Sequence, residues 1–544
     1  MNGLDWAIMG LYIAVLLWIS FRIGKSQTDE VDYYLGSKKI HWFPVGVSTM
    51  ATQLSTNSML GAPAFVAFSL GGGLLWLQYE LAVPLAMIFI MIFLVPFFKR
   101  SGVISIYEYL ELRLGPVTRL LLSVLFQFIL AFGTGVTVYG ISIVLQVCLG
   151  MPFWLAVMLL GVVTVIYDAL GGIKSVIVSD VLQMAILLVG IIVAGIYAVS
   201  FSGGFSDVIR NFDPQRMQAL DLSGTGLGDG ATFAFLPMLF GGLFLYISYY
   251  GCNQTQVQRH LSTKNIDDTN MALTMNGIFR FPVVVGYCLL GVAIGAFATI
   301  HPNFITSLPT REVLQNGAVQ QVPNYNAAVP IFVLSYLPHG VIGIIIIALF
   351  AAAMSSLDST LNSLSAITVR DIFDRYFPGK NPRTPKQSLL LSKLITVFWG
   401  FACVSFSFFV GNISDSIIVS INKIGSLANG PILAAFLLAI LTKRANDWGT
   451  VMGIIAGFAV NLYLWVAVPG VSWLWWNVIG CVVTFGIGYL SSYGFAPPAP
   501  EKLVNHIWRK DIGKEYFQYT KNWNIYYGIL IAWFLVILAI IALV

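Results

Sequence analysis

VSTMATQLSTNSMLGAPAF, residues Val47–Phe65, is an unusual sequence for a membrane-spanning helix. At 1.5 Å per residue the stretch is about 28 Å long, close to the thickness of a bilayer core. Its middle nevertheless carries Thr52, Gln53, Ser55, Thr56, Asn57 and Ser58, followed by Gly61 and Pro63. A helix interrupted at that depth leaves backbone groups without partners, and hydrocarbon tolerates this only where they line a cavity. A second stretch repeats the pattern: YISYYGCNQTQVQRH, Tyr246–His260, places Gly251 and a run of amides in an apolar surrounding.

Working outward, the chain of 544 residues is 58% hydrophobic and 10% charged, with mean hydropathy +0.83. That is too little charge to clothe a soluble protein of this size. Hydrophobic patterning predicts an all-α, polytopic membrane protein of 14 spans, near 4–24, 42–70, 73–98, 117–149, 153–170, 175–201, 231–257, 268–299, 341–371, 387–411, 414–442, 448–468, 472–495 and 523–543. With the N-terminus outside, most of the 29 Lys and Arg residues fall on inner loops and their flanks, Arg259 among them. Outer loops hold Arg210, Arg216 and Arg311. This bias predicts that both termini are extracytoplasmic. The first apolar run lacks a basic n-region and a small-residue cleavage site, so it reads as a retained span. The five cysteines are scattered through apolar segments without a CxxC, as buried free thiols would be. No HExxH, Walker motif or GxSxG occurs, which leaves an enzyme reading without a catalytic set. The excess of five basic residues follows membrane topology and gives no sign of nucleic-acid binding.

The two interrupted spans, 2 and 7, open consecutive sets of five. An odd number of crossings per set inverts the second relative to the first. Interrupted helices at matching places in two inverted halves point to a secondary transporter's binding site. The expected organisation is one transporter domain over 1–544, with repeats at 42–201 and 231–442 and peripheral helices at 4–24 and 448–543.

Three groups of polar residues stand out. In AAAMSSLDSTLNS, Ala351–Ser363, the positions Ala352, Ser355 and Ser356 share a helix face, and Ser355, Asp358 and Ser359 repeat the spacing one turn on. Hydroxyls there, with carbonyls freed by an interrupted helix, supply the oxygens a hard monovalent cation wants. Close helix packing and hydroxyl bonds to i−4 carbonyls are the structural alternative. Asp358 and Asp180 are acids inside spans, which are costly unless paired or solvated; together they read as a second cation site, filled by sodium or by a shared proton. Asp168 reads as interfacial. Glu80, Arg280 and Lys423 fall at middle or outer depth, where charges can pair, either as a structural ion pair or as part of a polar solute pocket.

These residues carry a resemblance. From DYYLGSKK through GGIKSVIVSDVLQ, NQTQVQRHLSTKN and AAAMSSLDSTLNS to ILAAFLLAILTKR, the chain resembles the sodium:solute symporters, of the sodium/glucose cotransporter type with the LeuT-type five-plus-five inverted repeat. The resemblance implies a sodium site from the carbonyls of Ala51, Leu54 and Ala352 and the hydroxyls of Ser355 and Ser356. It implies a second sodium at Asp180, Ser355 and Ser359, with Asp358 standing where the family has a hydroxyl. The implied solute pocket comprises Gln53, Ser55, Asn57, Ser58, Tyr79, Glu80, Tyr249, Tyr250, Arg280 and Asn422. Its Tyr79–Glu80 pair is similar to sugar carriers, whereas LGAP after the first interruption is similar to monocarboxylate, vitamin and iodide carriers. Gly133 stands near the place of the arginine that sialic-acid carriers use for a carboxylate. The implied activity is sodium-coupled import of a small solute across the inner or plasma membrane by alternating access, with a sugar or polyol as the first expectation. A small organic anion held by Arg280 is the alternative, and a transporter-like sensor or channel a further one. The expected partners are sodium, the solute and the lipid bilayer.

Overall fold

The computed structural model describes the chain except at 55–56, 316–317, 379–382, 410–416, 505 and 510–516; it gives no side-chain description at 57, 147–148, 311–315, 318–319 and 417–421. Eleven helices among the described residues are long and apolar enough to cross a membrane. The architecture is helical apart from one antiparallel hairpin, Thr310–Gln315 with Ala318–Pro323, in the long loop after residue 300.

Helix α1 is Gly3–Gly24, opened by a capping box between Asn2 and Asp5. The first interrupted span begins with α2, Trp42–Gln53, which ends at Leu54 with φ −80° and ψ 67°. The chain resumes as a wide turn over Asn57–Gly61 and continues as α3, Ala62–Ala67, with Pro63 in its first turn. Next come α4 (Ala82–Phe93), α5 (Pro116–Leu149) and α6 (Phe153–Phe201). The spans expected at 153–170 and 175–201 are one continuous helical run, bent at Gly172, whose φ of +54° suits glycine. The bend brings the chain against Tyr33: a Cβ on Gly172 would sit 2.6 Å from the Tyr33 carbonyl oxygen.

The second interrupted span comprises α7, Gly242–Cys252, and α8, Gln254–Leu261. Asn253 separates them in an extended conformation (φ −96°, ψ 124°), its side chain accepting from the Thr255 N–H at 2.8 Å. Then follow α9 (Ile266–Ile300), α10 (Val341–Ile367), α11 (Pro385–Ser407), α12 (Ile417–Leu441), α13 (Asp447–Ala467), α14 (Trp473–Ser491) and α15 (Trp523–Leu543). Helix α10 is buried along nearly its whole length and packs against α6, α5 and α1. Helices α12, α13 and α14 pack together at the side. There Gly430 lets α12 approach α14 so closely that a Cβ would lie 2.4 Å from the Asn477 carbonyl oxygen. Helix α15 is mostly exposed, as a lipid-facing peripheral helix would be. Cys252, Cys288, Cys403 and Cys481 are buried free thiols.

Candidate functional site

The interruption in the first broken span faces the serine run of α10. Ser355 Oγ lies 3.1 Å from the Ala352 carbonyl oxygen and 3.4 Å from that of Ala51. One hydroxyl proton cannot serve both carbonyls. Oxygens at that spacing match the ligand shell of a small hard cation: for a cation–oxygen distance of about 2.4 Å, neighbouring ligands sit about 3.4 Å apart. Ser356 Oγ is buried with no hydrogen-bond partner among the described residues. Ala51, Leu54 and Ala352 are buried beside it.

One turn towards the inner end of α10 lies a cluster of buried charge. Asp180 Oδ2 accepts from Ser48 Oγ at 2.5 Å and from Arg259 Nη2 at 3.0 Å. Arg259 also donates to Ser48 Oγ at 2.7 Å, to the Thr255 carbonyl at 2.6 Å and to Ser359 Oγ. Its side chain is 1% exposed, so the assignment of Arg259 to an inner loop is corrected: the extended Asn253 and the short α8 carry it back into the protein. Asp358 accepts from the Tyr167 hydroxyl and has Ser359 Oγ at 3.1 Å. Asp180 and Asp358 therefore have separate partners, and the guanidinium holds both Asp180 and Ser359. Asp168, read as interfacial, is fully buried; the Asn362 amide donates to its Oδ1 at 3.5 Å, and its Oδ2 has no hydrogen-bond partner among the described residues.

The solute residues gather around a cavity of about 230 Å³. Gln53, Ser58, Tyr79, Tyr249, Arg280 and Asn422 line it. Glu80 and Tyr250 stand behind its wall. Arg280 Nε and Nη2 donate to the two Glu80 carboxylate oxygens at 2.6 and 3.1 Å, a bidentate pair with both side chains at most 5% exposed. Tyr246 donates to Glu80 Oε1 at 3.0 Å, and Tyr250 accepts from Arg280 Nη1 at 3.2 Å while donating to Gln53 Oε1. Ser55 and the Asn57 side chain lie outside the described residues. Sequence reasoning missed Tyr246, which braces the pair, and Thr52, Trp76, Thr134, Tyr287 and Thr360, which complete the wall. Tyr246 has a legible signal: it sits four residues before Tyr250, on the same face of α7.

The model of the sodium:solute symporter family matches residues 33–457. The chain is 28% identical over 495 residues to the sodium/sialic acid symporter NanT of Aliivibrio fischeri, covering 90% of this chain and 93% of that one. It is 28% identical over 455 residues to human sodium-coupled monocarboxylate transporter 1, covering 83% and 70%. Among solved structures, the substrate-bound outward-open state of a Na⁺-coupled sialic acid symporter superposes with TM-score 0.79 at 25% identity, covering 91% of this chain and 99% of that one. The chain belongs to the sodium:solute symporter family.

Proposed function

We propose that this sodium-coupled symporter imports a small neutral polar solute, a sugar or polyol, by alternating access. The observation that carries the reading is the bidentate Glu80–Arg280 pair: the guanidinium lining the cavity already has its counter-charge. A solute entering there meets aromatic faces, amides and hydroxyls, and a guanidinium whose charge is already balanced. Sodium held by Ala51, Leu54, Ala352, Ser355 and Ser356 bridges α2 and α10, and so biases the pose in which the solute binds. Gln53, Ser58, Tyr79, Tyr249 and Asn422 contact the solute directly, while Glu80 and Tyr250 hold Arg280 in place. In the same reading the chain crosses the membrane 14 times, counting the two interrupted spans and both sides of the Gly172 bend. Residues 42–201 and 231–442 are then inverted repeats, and both termini are extracytoplasmic.

One sodium crossing about 100 mV supplies about 2.3 kcal/mol, and a tenfold gradient adds about 1.4 kcal/mol. Together these support roughly 500-fold accumulation of a neutral solute.

A small organic anion is the second reading. It is favoured by Arg280 reaching the cavity and by the sialic acid and monocarboxylate names of similar proteins. Thermal stabilisation of the purified protein by hexoses, polyols and monocarboxylates, with and without sodium, separates the two. Sodium-dependent stabilisation by neutral polyhydroxyl compounds alone supports the first; stabilisation by carboxylates alone overturns it. Solute uptake against a gradient in proteoliposomes distinguishes a carrier from a sensor or channel.

A further inference from the structure

Away from the solute cavity and the sodium residues, a cavity of about 380 Å³ lies between α6 and α11. Every residue lining it is apolar or glycine. On α6 the lining runs from Met158 to Leu170, about 18 Å of helix. That is a little more than one leaflet of a hydrocarbon core about 30 Å thick. On α11 it takes Val397, Gly400, Phe401 and Val404, at i, i+3, i+4 and i+7, so one face of that helix builds it. Glycines set the crossing of the two helices: a Cβ on Gly161 would meet Val404, and one on Gly400 would meet Val165. Val162, Ile166 and Phe401 line the cavity and are exposed at the molecule's surface, so it opens sideways into the bilayer.

The lining and the inner end decide what fills such a space. Without polar groups the cavity has nothing to hold ordered water. Left void, it would forfeit dispersion contacts along its walls. The inner end is different in kind. Lys393, four residues before Val397 on the same face of α11, donates to the Leu170 carbonyl at 3.3 Å. The end of α1 packs against that same carbonyl, so closely that a Cβ on Gly24 would overlap it. The next residue, Lys25, is exposed, with its ammonium 4.3 Å from the Phe21 ring centroid. Among the described residues neither lysine has a carboxylate partner, whereas neighbouring Lys174 is held by Asp32 at 2.5 Å. Two ammonium groups without a counter-charge thus stand where an apolar crevice reaches the membrane surface, and a lipid phosphate answers that charge.

We propose that an anionic phospholipid binds here, with one acyl chain in the crevice between α6 and α11 and its phosphate against the Lys393 and Lys25 ammonium groups. An ammonium has three donors, so Lys393 keeps the Leu170 carbonyl and still serves a phosphate oxygen. In the orientation proposed above, the headgroup lies in the inner leaflet. The lipid clamps α1, α6 and α11 beside the bend at Gly172. It touches neither the solute residues nor the sodium residues, so it stands whichever solute is carried.

Native mass spectrometry of the purified full chain, incubated with equal amounts of palmitoyl-oleoyl phosphatidylglycerol and palmitoyl-oleoyl phosphatidylcholine, tests this. The two lipids have the same chains, so a preference reports the headgroup. The wild type is expected to retain one phosphatidylglycerol per chain, preferred about 25-fold over phosphatidylcholine, at about fivefold for each lysine. Lys393→Gln and Lys25→Gln should each cut the preference about fivefold, and the double variant should abolish it. Ala169→Phe, which fills the crevice, should lose the retained lipid of both kinds. Lys25 is exposed, so Lys25→Gln carries the test if Lys393→Gln fails to fold. Equal retention of both lipids by the wild type overturns the proposal, as does a preference unchanged in both lysine variants. Lipid retained in full by Ala169→Phe overturns the crevice as its seat. A dimer that Ala169→Phe dissociates, with no lipid retained, overturns it in favour of a second copy of the chain covering this face.

Discussion

Glu80–Arg280 and Asp180–Arg259 are two buried carboxylate–guanidinium pairs in one bundle, and their surroundings differ. At the first, both carboxylate oxygens are used, and Tyr246 and Tyr250 take up further donors and acceptors. At the second, Asp180 keeps a free oxygen, two more acids lie nearby, and the Gln183 amide and Tyr12 hydroxyl have no hydrogen-bond partner among the described residues. A closed pair makes a fixed wall. An open one keeps an acceptor free. The first pair is charge-balanced behind the cavity wall, whereas Asp180 keeps an oxygen unpaired among the described residues.

The largest effect expected from breaking this comparison is at Arg259. Arg259→Met leaves Asp180 buried without its cation, a loss of about 3–5 kcal/mol. Thermal unfolding of the purified protein should show it, and Arg259→Met with Asp180→Asn should recover most of the stability. Arg280→Met should be as harmful, with Glu80→Gln as the matching rescue. If either single change costs less than about 1 kcal/mol, that pair is not the buried contact described.

Next in size is a change that opens the closed pair. Glu80→Gln leaves Arg280 with a hydrogen-bond acceptor but no counter-charge, so the cavity gains a positive charge. Uptake or binding of a neutral solute should fall about tenfold or more, the order of one lost charged hydrogen bond, and carboxylate-bearing solutes should gain. A variant with unaltered preference would remove the main support for the neutral-solute reading.

Ser356→Ala should act more gently and on sodium alone. Its hydroxyl has no hydrogen-bond partner among the described residues, so the melting temperature should stay within about 2 °C of wild type. The sodium concentration for half-maximal uptake should rise about tenfold, equivalent to about 1.4 kcal/mol. Unchanged sodium dependence would exclude Ser356 as a ligand.

How much of this was legible in the sequence varied with the kind of feature. Both helix interruptions were, because Gly, Pro and amides in an apolar run conflict with an uninterrupted span; their positions at Leu54 and Asn253 agree with the expectation. The pairing of Glu80 with Arg280 was anticipated from shared depth. Arg259 was not, because a basic residue near a span's inner end is ordinarily topological, and only the Asn253 break and the short α8 turn it inward. Asp168 was misread for a related reason: counting from the end of a span assumes the span ends at water, but at Gly172 the chain bends back against Tyr33. Which oxygens stay unpaired depends on the packing of α1, α6 and α10, and no periodicity carries that.

The smallest prediction concerns another largely enclosed cation, whose hydrogen bonds among the described residues go to carbonyls and a hydroxyl. Lys99, just past the inner end of its span, donates to the Thr263 carbonyl at 2.9 Å, to Thr263 Oγ1 at 2.7 Å and, more weakly, to the Leu261 carbonyl at 3.4 Å. Burial, with Lys38 adding to it and Asp268 opposing it, pushes its ammonium down to about 7. Where the two guanidiniums are paired with a carboxylate, Lys99 is held by carbonyls and a hydroxyl, and its hold on the proton is weakened. Between about 7 and the ordinary lysine value of 10.5 the unfolded chain binds the proton more tightly than the folded one. Stability therefore rises with pH across that window, and the cost of the buried ammonium is carried in full below it. Lys99→Met removes this term. Its melting temperature relative to wild type should be highest at pH 6 and decline as the pH is raised from 7 to 9, by on the order of 1–2 °C. A difference that is flat with pH would mean that Lys99 stays charged, with Asp268 serving it as Asp180 serves Arg259.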